Sequence, residues 1–262
     1  MHIAILLCAG YGTRLQELGF DTPKPLLELA GRPMLDYLVD QVAAFDDLDA
    51  IHIVTNSRFY ADFADWAAAR RDQYLQPIAV HDDGTGHPGE RLGAVGDLRF
   101  LLGRLGAADE GSGALVAAGD NVFRFSLAPF WRAFRARGAS TVLALAEEDP
   151  RRLRRTGVLE LQDERVVRLV EKPANPPSTW SCPSIYGLDA EALSLVGPYL
   201  DAGEPGDEIG RFIAWVATRQ PLWAHRMEGE RLHVGDPTSF RHADEVLRGA
   251  ARTPEDVLDD AG

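Results

Sequence analysis

The sequence predicts one α/β domain built on a mixed sheet. Along most of the chain, short apolar or β-branched runs alternate with segments of helical period, as in strand–helix–strand units. The stretch 157–170 instead has the pattern of a hairpin, and 45% apolar residues among 262 suffice for a sizeable core. We expect a single domain over 1–262, with a first half at about 1–125, a more antiparallel second half at about 126–240, and a C-terminal helix and tail at 241–262.

The first half begins with an apolar strand at 3–8, of the kind that is buried in a parallel sheet. After a glycine-rich loop, Pro33 begins a helix, and a second strand follows at 51–55. Ser57 is expected to cap the next helix, because a serine hydroxyl accepts from the free N–H groups of a first turn. The core face of that helix carries three aromatic residues at helical spacing: Phe59, Phe63 and Trp66. The remaining elements of this half are strands at 77–81 and 114–118 and a helix at 91–105.

The second half continues with a helix at 127–137 and a strand at 140–146. Two apolar runs, 157–161 and 166–170, flank a short polar segment, which predicts a β-hairpin. The other elements follow in order: a strand at 184–188, helices at 189–200 and 206–218, strands at 222–227 and 231–234, and a helix from Pro237 onward.

The charge of the chain limits its partners. Lys and Arg number 27 against 40 Asp and Glu, a formal net charge of −13. Such a surface repels phosphate backbones and anionic membranes, so we expect neither as a partner; self-association into a homo-oligomer is left open. The N-terminal apolar run ends at Gly10, too early for a signal peptide or a membrane span, and Cys8 and Cys182 match no metal motif. We therefore expect a cytoplasmic protein with reduced thiols.

A glycine-rich turn, Gly10-Tyr11-Gly12-Thr13-Arg14-Leu15, follows the first strand directly. Such a turn lets backbone N–H groups approach a phosphate without a Cβ in the way, and the Arg14 guanidinium can add a forked contact. Leu15 stands where a dinucleotide-binding fingerprint needs its third glycine, and no Gly-Lys-Ser/Thr of a P-loop is present. The turn indicates phosphate binding of another kind, the alternative being a simple strand-to-loop turn.

The only two lysines of the chain, Lys24 and Lys172, each stand next to proline. Prolines stiffen the backbone, so each ammonium is presented from a restrained segment. All other basic side chains are arginines, which suggests that lysine is kept where a compact point charge is needed. The arginine-rich run 151–155 is interpreted as a solvated loop that could steer an anionic substrate.

Asp120 and Asp236 are the acidic candidates. Each follows a predicted strand and a glycine, and strand ends in open α/β sheets face the ligand crevice. Mg²⁺ prefers one or two carboxylates together with substrate phosphate oxygens and water, which two such aspartates can supply. Asp236 also precedes Pro237 at a predicted helix start, so an N-cap role is equally open and the two roles can coexist.

Together these segments resemble the sugar nucleotidyltransferases, also called nucleotide-sugar pyrophosphorylases. The N-terminal signature is the run 7–15 followed by Thr22-Pro23-Lys24-Pro25-Leu26. Shorter motifs follow in the order of the family: Leu92-Gly93-Ala94, Gly119-Asp120-Asn121, Thr156-Gly157-Val158, Glu171-Lys172-Pro173 and Gly235-Asp236. The resemblance covers about 1–240.

The resemblance implies a Rossmann-like three-layer αβα mixed sheet of the nucleotide-diphospho-sugar transferase type. It also implies Mg²⁺-dependent transfer of a nucleotidyl group from an NTP (dTTP, UTP or CTP) to a sugar 1-phosphate, giving an NDP-sugar and pyrophosphate. The first half would then bind the nucleotide and the second half the sugar phosphate.

The same resemblance assigns roles to individual residues. The catalytic residues would be Arg14, Lys24 and Asp120. The nucleotide would be bound by Leu7, Ala9, Gly10, Gly12, Thr13, Arg14 and Gly93. The sugar phosphate would be bound by Gly157, Glu171, Lys172 and Tyr186. The Mg²⁺ ion would be bound by Asp120 and Asp236.

Two segments depart from the family pattern. The glutamine of thymidylyl- and uridylyl-transferring members is replaced by the loop 82–91, and the segment 181–186 differs from the usual glycine-bearing strand, so base and sugar stay open. No β-helical extension follows, so we expect no fused acetyltransferase. Two alternatives are a cytidylyltransferase acting on a non-sugar phosphate and a non-catalytic regulatory protein that binds nucleotide sugars.

Overall fold

The computed structural model describes residues 1–12, 21–106 and 112–251. Its strands are β1 (His2–Leu7), β2 (Glu28–Leu29), β3 (Arg32–Pro33), β4 (Ala50–Thr55), β5 (Ile78–Asp82), β6 (Gly113–Ala118), β7 (Asn121–Phe123), β8 (Thr141–Ala146), β9 (Gly157–Gln162), β10 (Arg165–Glu171), β11 (Trp180–Cys182), β12 (Ile185–Asp189), β13 (Trp223–Met227) and β14 (Arg231–His233). Its α-helices are α1 (Met34–Ala43), α2 (Tyr60–Ala68), α3 (Ala94–Leu105), α4 (Ala128–Arg137), α5 (Pro150–Leu153), α6 (Ala190–Ser194), α7 (Val196–Asp201), α8 (Ile209–Ala217) and α9 (Pro237–Ala251). Single turns of 3₁₀ helix lie at Lys24–Leu26 and Pro88–Glu90.

Most of these strands form one mixed sheet in the order β11-β9-β10-β13-β8-β12-β6-β1-β4-β5. Strands β5, β4, β1 and β6 are parallel to one another. Strand β12 lies antiparallel between β6 and β8, and beyond it β9 and β10 form the predicted antiparallel hairpin. The predicted mixed sheet with a more antiparallel second half is therefore confirmed.

Helices cover both faces of the sheet. Successive side chains of a strand point to opposite faces, so Ile3 and Ile5 of β1 pack in one apolar cluster with α3, α7 and α8, while Ala4 and Leu6 pack in another with α1, α2 and α4. A strand buried on both faces must be apolar throughout, which explains the unbroken run that began the sequence. The arrangement confirms the expected three-layer αβα architecture.

A smaller apolar cluster holds the C-terminal helix in place. Strands β7 and β14 pair as a separate antiparallel ribbon, and Val122 and Leu232 of this ribbon pack with Ala243 of α9 and Leu29 of β2. The ribbon follows β6 directly, so it brings the segment 231–236 to the carboxyl edge of β6.

The prediction that Ser57 caps the next helix was wrong. Helix α2 begins at Tyr60, and the Ser57 hydroxyl instead donates to Asp82 Oδ1 at 2.7 Å. The side-chain oxygen of Asn56 accepts from the N–H of Phe59 at 3.2 Å, just before the helix begins. A polar side chain one residue earlier thus takes the backbone contact that serine was expected to make.

Other differences concern short or interrupted elements. The helix predicted at 91–105 begins only at Ala94, because Gly93 has a φ of 79° that no helix continues through. The helix predicted at 189–200 is two helices, α6 and α7. The arginine-rich run expected as a loop includes α5, which Asp149 caps by accepting from Arg151 N. Several short strands were not predicted at all: β2, β3, β7 and β11.

Both thiols lie in the interior. Cys8 and Cys182 are free and buried, and burial raises the pKa of each. The Cys8 sulfur packs so closely on Gly119 that any Cβ there would collide with it. In the described ranges, no helix is both long and apolar enough to cross a membrane.

Candidate active site

A cleft of about 740 Å³ lies at the carboxyl edge of the parallel strands. It is lined by Leu7, Cys8, Gly10, Gly12, Lys24, Pro25, Asp120, Arg154, Arg155, Lys172, His233, Gly235 and Asp236. Strands β1 and β6 both end at this edge, because they are parallel and in register from His2 to Leu7. The loops that follow the two strands therefore begin side by side. Segments that are far apart in the chain thereby meet in one concave site.

The loop after β1 forms one wall of the cleft. Gly10 and Gly12 line it, and Gly12 has a φ of 62°, in the left-handed region that favours glycine. The loop is anchored behind the cleft, where Asn56 Nδ2 donates to the carbonyl oxygen of Ala9 at 2.9 Å. The predicted residues Thr13 and Arg14 lie outside the described residues.

Lys24 and Asp120 form an ion pair inside the cleft. The 3₁₀ turn between Pro23 and Pro25 presents Lys24, and its Nζ donates to Asp120 Oδ2 at 2.5 Å. The two side chains are 15% and 35% exposed, so the pair is shielded from bulk water. Burial acts to raise the pKa of Asp120, but the charge and hydrogen bond of Lys24 outweigh it, and the pKa lies below its usual value. Asp120 is therefore an ionised carboxylate at neutral pH.

Asp236 caps helix α9 and also lines the cleft. Its Oδ1 accepts from the N–H of Ser239 at 2.9 Å, which caps α9, and the Ser239 hydroxyl accepts from the N–H of Asp236 at 3.0 Å in return. The side chain also lines the cleft, where Arg155 Nη1 lies 3.4 Å from its Oδ2. The backbone hydrogen bond from Ser239 is the main reason that the pKa of Asp236 lies below its usual value.

These two carboxylates suit a hard divalent cation that is bound together with phosphate. Asp120 and Asp236 face one cleft and both are ionised, which fits the oxygen ligands that Mg²⁺ prefers. Among the described residues, no group of three or more His, Cys, Asp or Glu side chains could hold a metal ion by itself. The residues present thus fit a cation that takes its remaining ligands from substrate and water.

Lys172 also lines the cleft. It follows β10 with a φ of 46°, a left-handed conformation that is uncommon for a residue with a side chain. Its Nζ donates to Glu208 Oε1 at 2.6 Å, and Arg211 Nε donates to the second oxygen of the same carboxylate at 2.7 Å. The hydrogen bonds of Arg211 and Lys172 hold the pKa of Glu208 below its usual value. Glu208, which the sequence analysis did not single out, thus fixes the position of Lys172.

Glu171 lies directly behind Lys172. Its carboxylate packs against Gly157 and Gly210, and a Cβ at Gly210 would collide with it. Burial raises the pKa of Glu171 above its usual value. Gly157, Glu171 and Lys172, predicted together as sugar-phosphate residues, are therefore neighbours.

Five described residues of the predicted site are not in the lining of the cleft: Ala9, Gly93, Gly157, Glu171 and Tyr186. Ala9 and Glu171 adjoin lining residues in the chain and Gly157 contacts Glu171, whereas Tyr186 and Gly93 lie elsewhere. Tyr186 is 1% exposed in the apolar core, and burial raises the pKa of its hydroxyl well above the usual value. Gly93 precedes α3, where a Cβ would lie 2.6 Å from the carbonyl oxygen of Gly206. Packing against Gly206 thus explains why position 93 is a glycine.

Three cationic or titratable residues of the cleft were not predicted as site residues: Arg154, Arg155 and His233. The arginines follow the capped turn of α5, which a loop interpretation of 151–155 does not reveal. His233 pairs in register with Asn121 across the ribbon, next to Asp120. The sequence did contain a signal for His233: side chains alternate along the strand predicted before Gly235, so residues 231 and 233 lie on one face.

The cleft is cationic although the molecule is acidic. Four basic side chains, Lys24, Lys172, Arg154 and Arg155, face two carboxylates there, while the whole chain has a formal net charge of −13. Such a local excess of positive charge suits multiply charged anions such as phosphates.

Comparisons with known proteins agree with this geometry. The model of a family described as nucleotidyl transferase matches residues 3–248. The chain is 32% identical to the mannose-1-phosphate guanylyltransferase of Mycobacterium tuberculosis, over 96% of this chain and 66% of that protein. It is 25% identical to the bifunctional protein GlmU of Methanocaldococcus jannaschii, over 93% of this chain and 54% of that protein.

A solved structure has the same fold. The UDP-glucose pyrophosphorylase of Acinetobacter baumannii superposes with a TM-score of 0.77 at 17% identity, over 100% of this chain and 98% of that one. The chain spans about half the length of the first curated relatives that it matches, 51% and 54%.

Proposed function

Because the chain belongs to the nucleotidyl transferase family, we propose that its cleft transfers a nucleotidyl group from an NTP to a sugar 1-phosphate. An oxygen of the acceptor phosphate attacks the α-phosphorus, the bond from that phosphorus to the bridging oxygen breaks, and pyrophosphate leaves with the bond's electron pair. The observation that carries the proposal is the meeting of Lys24, Asp120, Lys172 and Asp236, from four distant segments, in one cationic cleft.

The chemistry needs alignment and charge neutralisation more than proton transfer. A phosphate monoester has a second pKa of about 6, so the acceptor is largely ionised at neutral pH and needs no general base. The obstacle is the repulsion between two polyanions brought within bonding distance. Lys24 supplies positive charge at the reacting phosphates, and its ion pair with Asp120 holds the ammonium in position before substrate arrives.

We assign the metal site to Asp120 and Asp236. Mg²⁺ bound there would neutralise charge on the NTP phosphates. The carboxylates are already ionised, so binding the cation releases no proton from them. Asp236 Oδ2 has Arg155 as its cleft partner at 3.4 Å, a long contact that an incoming ion can replace.

The acceptor belongs beside Lys172 in this proposal. Lys172 would bind the acceptor phosphate, with Glu171 and Gly157 beside the sugar; Tyr186 would act only from within the core. The ammonium of Lys172 donates to Glu208 at 2.6 Å, and this contact orients the ammonium before the acceptor binds.

The nucleotide belongs at the loop after β1. The backbone of Leu7, Ala9, Gly10 and Gly12, with Gly93, would contact the base and phosphates, and Thr13 and Arg14 are assigned to the triphosphate by family resemblance alone. A relative named as a guanylyltransferase adds GTP to the candidate donors dTTP, UTP and CTP. We place the reaction in the cytoplasm, in keeping with two buried free thiols.

The test is pyrophosphate release from a matrix of donors and acceptors. Purified chain is assayed with dTTP, UTP, CTP, GTP and ATP against glucose, mannose and N-acetylglucosamine 1-phosphates, with and without Mg²⁺. We expect Mg²⁺-dependent turnover of at least one pair and none with EDTA. Phosphocholine in the acceptor set tests the cytidylyltransferase alternative. A folded, metal-supplied protein that binds NTP but turns over no pair would contradict the proposal and favour the regulatory alternative.

A further inference from the structure

A second cavity opens beside the cleft. It has a volume of about 310 Å³ and shares two wall residues with the cleft, Arg155 and His233. Its other walls come from the end of β8, from Ser181 of β11, from β14 and from α9. We call it the side cavity; the roles assigned above make no use of it.

The side cavity is rich in arginine. Arg152, Arg155 and Arg231 line it, against the carboxylates of Glu147 and Glu230. Glu230 is paired with Arg124 at 2.5 Å, outside the lining, and Glu147 lies 3.5 Å from Arg152. Each carboxylate of the wall therefore already has a cationic partner.

Arg231 is different from the other arginines of the wall. It lies on β14 next to Leu232, whose side chain is buried on the opposite face of the ribbon, so Arg231 points toward the cavity on the same side as His233. Within the described part of the chain, no hydrogen bond or ion pair is made by its guanidinium, although Asp120 and Glu147 are close enough to act on it electrostatically. Burial lowers the pKa of Arg231, which means that the surrounding protein disfavours its charge.

Arg231 is half-buried. A half-buried guanidinium without a carboxylate partner would be stabilised by an incoming anion. The hydroxyl groups of the wall are already engaged: Ser181 donates to the carbonyl oxygen of Leu145, Thr156 to that of Cys182 and Ser239 to that of Asp236. Of the described arginines that line the cavity, Arg152 and Arg155 lie 3.5 and 3.4 Å from a carboxylate, whereas Arg231 has no such partner. The forked donors of Arg231 suit the paired oxygens of a phosphate or carboxylate better than a sugar hydroxyl.

We propose that the side cavity binds a phosphate or carboxylate group through Arg231, next to the reacting groups. His233 is two positions further along the strand than Arg231, about 7 Å, so the group can be a second acidic substituent on the acceptor. It can also be a free anion that acts as an effector. The first source rests on the proposed function; the second does not.

Thermal unfolding with inorganic phosphate tests the site without any catalytic readout. Wild type, Arg231→Met and the control Arg99→Met, whose exposed arginine pairs with Asp201 and lines neither cavity, are melted with and without phosphate. Because the cleft can also bind phosphate, the informative quantity is the difference between variants. We expect Arg231→Met to melt higher than wild type in phosphate-free buffer, since an unpaired, half-buried charge is removed, and to gain less than half of the wild-type rise with phosphate. Arg99→Met should gain as much as wild type.

Acceptor kinetics then distinguish the two sources. Glucose 1-phosphate and glucuronic acid 1-phosphate differ in one carboxylate, and a KM at least about tenfold lower for the acidic acceptor, lost in Arg231→Met, assigns the anion to the acceptor. Equal KM values together with the Arg231-dependent melting effect assign it to a free anion. If wild type turns over no acceptor, the proposed function fails while the melting arm still decides on the cavity.

The proposal is overturned if Arg231→Met is less stable than wild type and keeps both its phosphate response and its acceptor preference. Should that variant not fold, Arg231→Lys keeps the charge but loses the forked geometry, and it should lose at least half of the phosphate response. An unchanged response in Arg231→Lys would equally reject the site.

Discussion

Lys24 and Asp120 are separated by 96 residues in the chain, yet their charged atoms lie 2.5 Å apart in the cleft. We expect Lys24→Ala and Asp120→Asn each to lower turnover by at least about a hundredfold, because each removes a charge that acts on the reacting phosphates or their cation. Pyrophosphate release under saturating substrate measures the effect.

Arg99→Ala is a suitable control for these variants. Arg99 is an exposed cation paired with Asp201 and does not line the cleft, so turnover should stay within about twofold of wild type. Near-normal turnover in Lys24→Ala, with a melting temperature like that of wild type, would reject the catalytic role.

A second pair of residues, Asp97 and Asp83, is expected to make the stability of the fold depend on pH. Asp97 and Asp83 are 5% and 9% exposed, and Asp83 Oδ1 already accepts from the N–H and hydroxyl of Thr85, each at 2.7 Å. Burial, followed by the charge and hydrogen bond of Asp83, raises the pKa of Asp97 from 3.8 to about 8. The folded protein therefore holds a proton on Asp97 that the unfolded chain has released at neutral pH.

This pair predicts that stability falls as pH rises between about 4 and 8. Below about pH 4 the folded and the unfolded state both hold the proton, and the contribution of Asp97 to the free energy of unfolding is complete. As the pH rises to the folded pKa this contribution is lost, and the free energy of unfolding falls by at most about 1.4 kcal/mol per pH unit. Asp97→Asn keeps a donor to Asp83 but cannot ionise, so its stability relative to wild type should increase with pH. Urea unfolding at pH 5 and pH 8.5 measures this, with the exposed substitution Asp72→Asn as control. A pH-independent difference between Asp97→Asn and wild type would contradict the assignment.

Residues of the cleft differed in how far the sequence could predict them. Lys24, Lys172, Asp120 and Asp236 were identifiable because prolines or glycines flank them where strands end. Arg155 was not identified, because its position depends on the short helix α5, which the sequence did not reveal. Arg231 of the side cavity and His233 of the cleft were not identified either, although alternation along the strand predicted at 231–234 places them on one face. Glu208 was missed because its role lies wholly in its contact with Lys172.

At the scale of elements, α9 connects stability with the site through its cap. The Ser239 hydroxyl accepts from the N–H groups of Gly235 and Asp236, at 2.9 and 3.0 Å. Ser239→Ala removes this acceptor and should lower the free energy of unfolding by about 1 kcal/mol, as losses of helix caps do. Urea unfolding measures it, and Thr238→Ala, an exposed neighbour on the same turn, is the matched control. Equal stability of the two variants would show that the cap contributes nothing.

Elements with a long, distinct pattern were predictable. Strands β1, β4, β6 and β8 are apolar because both faces are buried, and the hairpin β9–β10 alternates around a two-residue turn. The start of α3 was misplaced because the conformation of Gly93 is imposed by the segment 206–207 packed against it, a tertiary effect. The strand β11 is defined by its pairing with β8 and β9 rather than by any local signal.

At the scale of the whole molecule, the net charge of −13 opposes the binding of an anion, and the cationic cleft offsets this locally. On the proposed function, the polyanionic donor would bind at this small cationic surface together with a cation. We expect Mg²⁺ with the preferred NTP, at about a hundred times its Kd, to stabilise the fold by about 2.7 kcal/mol, a rise of roughly 5–10 °C in melting temperature.

EDTA should remove most of this rise, because NTP without the cation adds uncompensated negative charge to the site. Asp120→Asn should also show less of it than wild type. A rise of the same size with EDTA present would mean that the nucleotide binds without a metal ion.

Strand β12 joins the first half of the chain to the second within the sheet. Residues 185–189 fill the place between β6 and β8, although both of those strands precede them in the chain. A fragment ending near residue 125 would keep the pairing of β6 with β1 but leave the other edge of β6 unpaired, open to pairing with another copy. The sheet is therefore complete at this boundary only when both halves are present, and we expect neither half to stay monomeric when it is separated from the other.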